Sequence, residues 1–146
     1  MYLTPNLFTM KKILVLCLTL VFFASCSIDD DNTSFSFEVL AVESVDIPDA
    51  FMLGEVYPIT VSYLRPSTCH AFKEFYYLKE NNERTVAPIT YVFDNNDCQT
   101  LEEDNLVEDT FNFQVTSNGS YIFKFWQGKD ASGETQYLTI EVPVIE

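Results

Sequence analysis

The chain has 146 residues, 22 of them Asp or Glu and eight Lys or Arg, for a net charge of −14 at neutral pH. So acidic a chain repels a phosphate backbone, which excludes nucleic acid as a natural partner. Its 13 Phe and 8 Tyr supply the apolar area of a packed core, which excludes wholesale disorder, and the length suits one ordinary domain.

Met10-Lys11-Lys12 opens a positively charged segment, and the 11 residues from Ile13 to Phe23 are mainly apolar. That is the layout of an export signal, and it is too short to span a bilayer comfortably. The first nine residues add no charge, so Met10 is the expected start. A buried helix of the domain is the plainer reading, but nothing amphipathic continues the run. Because Lys11 and Lys12 lie in this segment, six basic and 22 acidic residues remain from Cys26 onward, a charge of −16.

Phe23-Ala24-Ser25-Cys26 resembles a bacterial lipobox, with Phe where Leu is usual. The resemblance implies cleavage before Cys26 and a diacylglycerol on its thiol. Acyl chains then replace the export segment as the membrane anchor. Ser27-Ile28-Asp29-Asp30-Asp31 resembles the acidic tether of Bacteroidota surface lipoproteins, which implies the outer membrane and its outward face. The plainer readings are a secretory signal with a chance cysteine and a linker kept extended by its charges. Residues 27–34 reach at most about 27 Å. The expected organisation is therefore a signal peptide at 1–25, a lipidated cysteine and tether at 26–34, and a domain at 35–146.

Within the domain, strand signals recur every 10 to 15 residues or so, separated by turn residues. Phe35, Phe37, Val39 and Ala41 alternate, predicting one strand up to about Val45. Tyr57, Ile59, Val61 and Tyr63 predict the next. "CHAFKEFYYLKE" and "RTVAPITYVFD", joined at Asn81-Asn82-Glu83, predict a hairpin, with Pro88 suggesting an edge strand. Two cysteines of the exported part, Cys69 and Cys98, then fall near its open end and predict a disulfide. A metal site or a Cys–His pair is the alternative. It is disfavoured because adjacent Cys69 and His70 point to opposite faces of a strand.

The loop after the hairpin carries Asp94, Asp97, Glu102, Glu103 and Asp104, oxygen ligands of the kind calcium prefers. Of these, Asp94, Asp97, Glu102 and Asp104 make a weak candidate calcium site, without EF-hand spacing; solvated charge is the alternative. Val107, Phe111, Phe113 and Val115 predict a strand, and Tyr121, Phe123 and Phe125 another. A two-residue turn at Asn118-Gly119 would set an apolar face against a polar one, so a connection crossing between sheets is expected. Leu138, Ile140, Val142 and Val144 predict a last strand, with Pro143 suggesting an edge.

Seven short strands without a helical period predict an all-β, antiparallel β-sandwich. Here "NGSYIFKF" resembles the sixth strand of immunoglobulin-like domains, with Gly119 and Tyr121 in place and Phe123 where a Cys is usual. The resemblance implies an immunoglobulin-like fold, with Tyr121 as its tyrosine-corner residue, and says nothing of a ligand.

Catalysis finds little support. His70 is the single histidine and no G-x-S-x-G occurs in the exported part, so His70 is expected at the surface or a strand end. Tyr76, Tyr77 and Trp126 are candidate ligand contacts, because consecutive aromatics face both sides of a strand; packing in the core is their commoner fate. The expectation is a membrane-anchored, non-catalytic envelope protein that binds a protein partner, or alternatively a carbohydrate for an uptake system.

Overall fold

Alternating apolar residues build two facing sheets from the strand-rich chain. The computed structural model describes residues 34–102 and 105–145. The export segment, Cys26 and the acidic tether lie outside the described residues, as does Asp104. Among the described residues there is no helix, and the strands are β1 (Phe35–Val39), β2 (Val42–Asp46), β3 (Phe51–Met52), β4 (Val56–Leu64), β5 (His70–Glu80), β6 (Glu83–Phe93), β7 (Leu106–Gln114), β8 (Tyr121–Lys129), β9 (Thr135–Val142) and β10 (Val144–Ile145). The larger sheet has the order β1-β6-β8-β9, with β5 on the other side of β6; the smaller is β2-β4-β7. Between them Val42, Phe51, Ile59, Val61, Val86, Phe113, Val115, Tyr121, Phe123, Phe125 and Val142 form the core. This is the all-β sandwich expected from the sequence.

Ten strands appear where seven were expected. The first splits at Leu40-Ala41: β1 pairs with β6 in the larger sheet, and β2 pairs with β4 in the smaller. Buried Leu40 makes the crossing, its N–H donating to the Pro88 carbonyl at 3.0 Å. The short β3 and β10 pair with each other. Most pairings are antiparallel; β6 with β8 and β3 with β10 are parallel.

Pro88 is not on an edge strand, because β6 has neighbours on both sides. A strand residue points its nitrogen and carbonyl the same way, and the Pro88 carbonyl faces β1 and β8. On that side β8 pairs only up to Val86 and β1 only from Ile89. The missing N–H therefore falls in the gap between two partners, where no ladder bond is lost. Pro143 does lie at an edge, between edge strand β9 and β10.

The hairpin β5–β6 forms with Glu80 opposite Glu83, so Asn81-Asn82 is its turn. Asn81 takes φ 53°, a left-handed conformation that Asn tolerates better than most residues. The disulfide Cys69–Cys98 closes the other end, with Cα atoms 5.4 Å apart. Beside it Thr68 N–H donates to the Gln99 carbonyl and Leu101 N–H to the Pro66 carbonyl, both at 3.0 Å. Those bonds hold the acidic loop against the β4–β5 connection.

β7 and β8 belong to different sheets, so the Asn118-Gly119 connection crosses between them as expected. The buried Tyr121 hydroxyl accepts the N–H groups of Thr116 at 3.0 Å and Ser117 at 2.9 Å. Two backbone donors of the crossing loop are thereby satisfied from the first residue of the next strand.

Candidate functional site

Pairing fixes which side chains share a face, and β1 is the informative case. Its apolar residues pair with Phe93, Tyr91 and Ile89 on the side of the larger sheet away from the core. Phe35 is 51% exposed, Phe37 57% and Val39 43%. The alternation in β1 thus marks an outward apolar face, whereas core packing is the usual meaning of such a pattern. Glu38, of opposite phase, points to the other side and meets His70.

The rings of Phe35, Phe37, Tyr91 and Phe93 pack on one another with centroids 5.3–6.4 Å apart. Lys73 lies 5.2 Å from the Phe37 centroid, a cation held over a ring face. Its ammonium also pairs with Glu74.

Further along the same face is a cleft of about 430 Å³. Trp126 on β8 pairs with Tyr137 on β9, and Tyr76 on β5 pairs with Ala87 on β6. Val86 pairs with Phe125, which brings Ala87 level with Trp126. Tyr137, Trp126, Ala87 and Tyr76 therefore form one row across four strands, with the small Ala87 as its floor. Among the described residues these three rings are not stacked on other rings; Tyr76 and Tyr137 are exposed and Trp126 is half-buried. Lys124 donates to Glu83 at 2.5 Å beside the row. That bond, with the nearby Glu83 and Glu80 charges adding, raises the Lys124 pKa against the effect of desolvation.

Tyr77 does not join this row. It lies on the opposite face of β5, against Phe111 at 6.0 Å, and lines a second cleft of about 420 Å³. Burial, partly offset by the Arg84 charge, pushes its phenol pKa up. Of the three aromatic candidates, the structure brings Tyr76 and Trp126 together and sends Tyr77 elsewhere. Tyr137, Phe35, Phe37 and Val39 were missed as site residues. The signal for Phe35 and Phe37 was present as an alternation, but its direction was not legible.

Of the candidate calcium ligands, Asp94, Asp97 and Glu102 lie among the described residues. Asp94 accepts from Ser34 Oγ at 3.0 Å, and Asp97 N–H donates to Asn95 Oδ1 at 3.1 Å. Among the described residues no three His, Cys, Asp or Glu side chains come together as metal ligands.

His70 opens β5 as a strand-end residue but is buried, contrary to a surface position. Its Nδ1 lies 2.8 Å from Ser67 Oγ and its Nε2 2.8 Å from Glu38 Oε2. With the proton on Nε2, the ring donates to Glu38 and accepts from Ser67. Ser67 Oγ also accepts the Cys69 N–H at 3.2 Å. The histidine thus ties β1 to the turn that carries the disulfide.

No family model, curated protein or solved structure matches the chain.

Proposed function

We propose that the chain is a lipid-anchored protein of the bacterial cell envelope, probing the exterior with a non-catalytic binding module. The anchor reading is supported by the lipobox-like Phe23-Ala24-Ser25-Cys26 and the acidic run after it. The binding reading is carried by one observation: the outer face of the larger sheet exposes Phe35, Phe37, Val39, Leu78, Tyr76 and Tyr137 together. Contiguous apolar surface rimmed by charge marks an interaction site. The occupant is a partner protein less acidic than this one. A second copy fits poorly, since two chains of −16 repel each other. The face itself carries Glu74, Glu80, Glu83 and Glu141 against Lys73 and Lys124, so a basic partner surface complements it.

The test is a photo-crosslinking residue placed at Phe37, at Tyr137, and at Thr110 on the outer side of the smaller sheet. Adducts to one envelope protein from the first two positions, and none from Thr110, are the expected result. Equal adducts from all three would remove the face from the proposal. Separately, Cys26→Ala should move the protein from the membrane to the soluble fraction and abolish labelling by a fatty-acid probe. A variant that stays membrane-bound contradicts the anchor.

The row Tyr137–Trp126–Ala87–Tyr76 supports a second reading, a carbohydrate stacked on the rings with Glu83 and Lys124 bonding its hydroxyls. Trp126 is the one tryptophan of the chain, so its fluorescence reports occupancy directly. A neutral oligosaccharide that quenches it, and binds less well after Lys124→Gln, would favour this reading over a basic protein. Loss of the Lys124 charge should strengthen binding of a cationic partner.

A further inference from the structure

The second cleft has a charge pattern opposite to that of the molecule. Only six basic residues follow Cys26, yet two of them, Lys79 and Arg84, line this one cavity. Among the described residues no Asp or Glu lines it. Lys79 and Arg84 are direct cross-strand partners in the β5–β6 hairpin. Like charges placed opposite each other destabilise a sheet, and an opposite charge between them removes that cost.

Arg84 is also buried, at 3% exposure. Among the described residues no carboxylate stands within ion-pair distance of it. Its Nη1 donates to the Asn81 carbonyl at 2.9 Å and the Glu83 carbonyl at 2.6 Å. Its guanidinium lies over the Tyr121 ring at 4.9 Å and the Phe113 ring at 5.9 Å. Carbonyls and ring faces offset part of the desolvation of a cation, but they leave its charge uncompensated. The remaining walls are of two kinds. Phe75, Tyr77 and Phe111 are aromatic, while Asn112, Gln114 and Thr116 are neutral and polar. A volume of about 420 Å³ is of the size that takes a small molecule.

We propose that this cleft binds a small organic carboxylate with one apolar face. The planar guanidinium of Arg84 matches a carboxylate, Lys79 supplies a second positive charge, and the aromatic wall covers the ligand's apolar side. The negative charge of the rest of the molecule does not forbid it. Charges more than about 8 Å away are largely screened at physiological salt, and the two cations are in contact range. The site lies on the side of β5 opposite Tyr76, so it is independent of the outer-face reading and stands or falls separately.

The test titrates the purified full chain, labelled with nitrogen-15, with benzoate, with its neutral isostere benzamide, and with inorganic phosphate. Benzoate should saturably shift the amide signals of Tyr77, Asn112 and Thr116 and the side-chain Nε–H of Arg84. Benzamide should bind about tenfold more weakly or worse, the loss expected for a charge-assisted hydrogen bond. Lys79→Glu, at an exposed position that does not threaten folding, should weaken benzoate about tenfold. Lys129→Glu, the same charge change elsewhere, should leave it within about twofold. Arg84→Lys should weaken it while keeping the dispersed spectrum of a folded chain. No saturable benzoate shift, equal binding of benzamide, equal effects of the two lysine substitutions, or phosphate binding as tightly as benzoate would each overturn the assignment.

Discussion

At Tyr63 a buried phenol donates to Asp109 Oδ2 at 2.6 Å. Burial first, then that bond and the Asp109 charge, raises the phenol's pKa well above its ordinary 10.0. The sign follows from linkage. The folded chain holds the proton more firmly than the unfolded one, so the stabilisation is complete below pH 10 and is lost as pH rises above it. Urea unfolding between about pH 9 and 11 should show stability falling with pH, and Tyr63→Phe should flatten the fall. An unchanged slope would mean that another group controls alkaline unfolding. Tyr63 could be placed on a strand from its alternation with Ile59 and Val61, but Asp109 could not be paired with it. That contact depends on the β4–β7 register, which no local pattern encodes. Arg84 was hidden for a similar reason. An isolated arginine in a strand reads as a surface charge until its neighbours across the sheet are known.

Among the elements, the β5–β6 hairpin was the most legible. Its turn residues, length and the closure by Cys69–Cys98 all follow from local spacing. The bridge joins residues 29 apart and should contribute about 3–4 kcal/mol by restricting the unfolded chain. Cys69→Ser with Cys98→Ser should lower the urea midpoint accordingly, with far-ultraviolet circular dichroism preserved because the hairpin ladder remains. A midpoint equal to that of the parent would contradict this. β1 was legible as a strand but not in orientation. Phe35, Phe37 and Val39 share a phase with Ala41, and the chain changes sheets just there, so one alternating run serves two different surroundings. Pro88 misled for a related reason. A proline disfavours a central strand only where its nitrogen faces a partner, and here it faces the gap between β8 and β1.

On the scale of the whole molecule, two surfaces are set apart by charge and by the side of the larger sheet they occupy. The outer face joins exposed aromatic rings to an excess of carboxylates, and the Arg84 cleft joins aromatic walls to an excess of cations. The sandwich class could be derived from seven alternating segments, whereas the parallel placement of β6 beside β8 could not, because it joins strands distant in sequence. That placement is what sets Ala87 level with Trp126 and opens the row between Tyr76 and Tyr137. The proposed partner would cover the outer face on the cell exterior. Single cysteines at Phe37, Tyr137 and Thr110 can be reacted on intact cells with a membrane-impermeant maleimide. Rapid labelling at position 110 with slow labelling at 37 and 137, the latter two becoming rapid in the purified protein, is the predicted result. Labelling at 37 and 137 as fast as at 110 on the cells, or no labelling at any of the three, would contradict it.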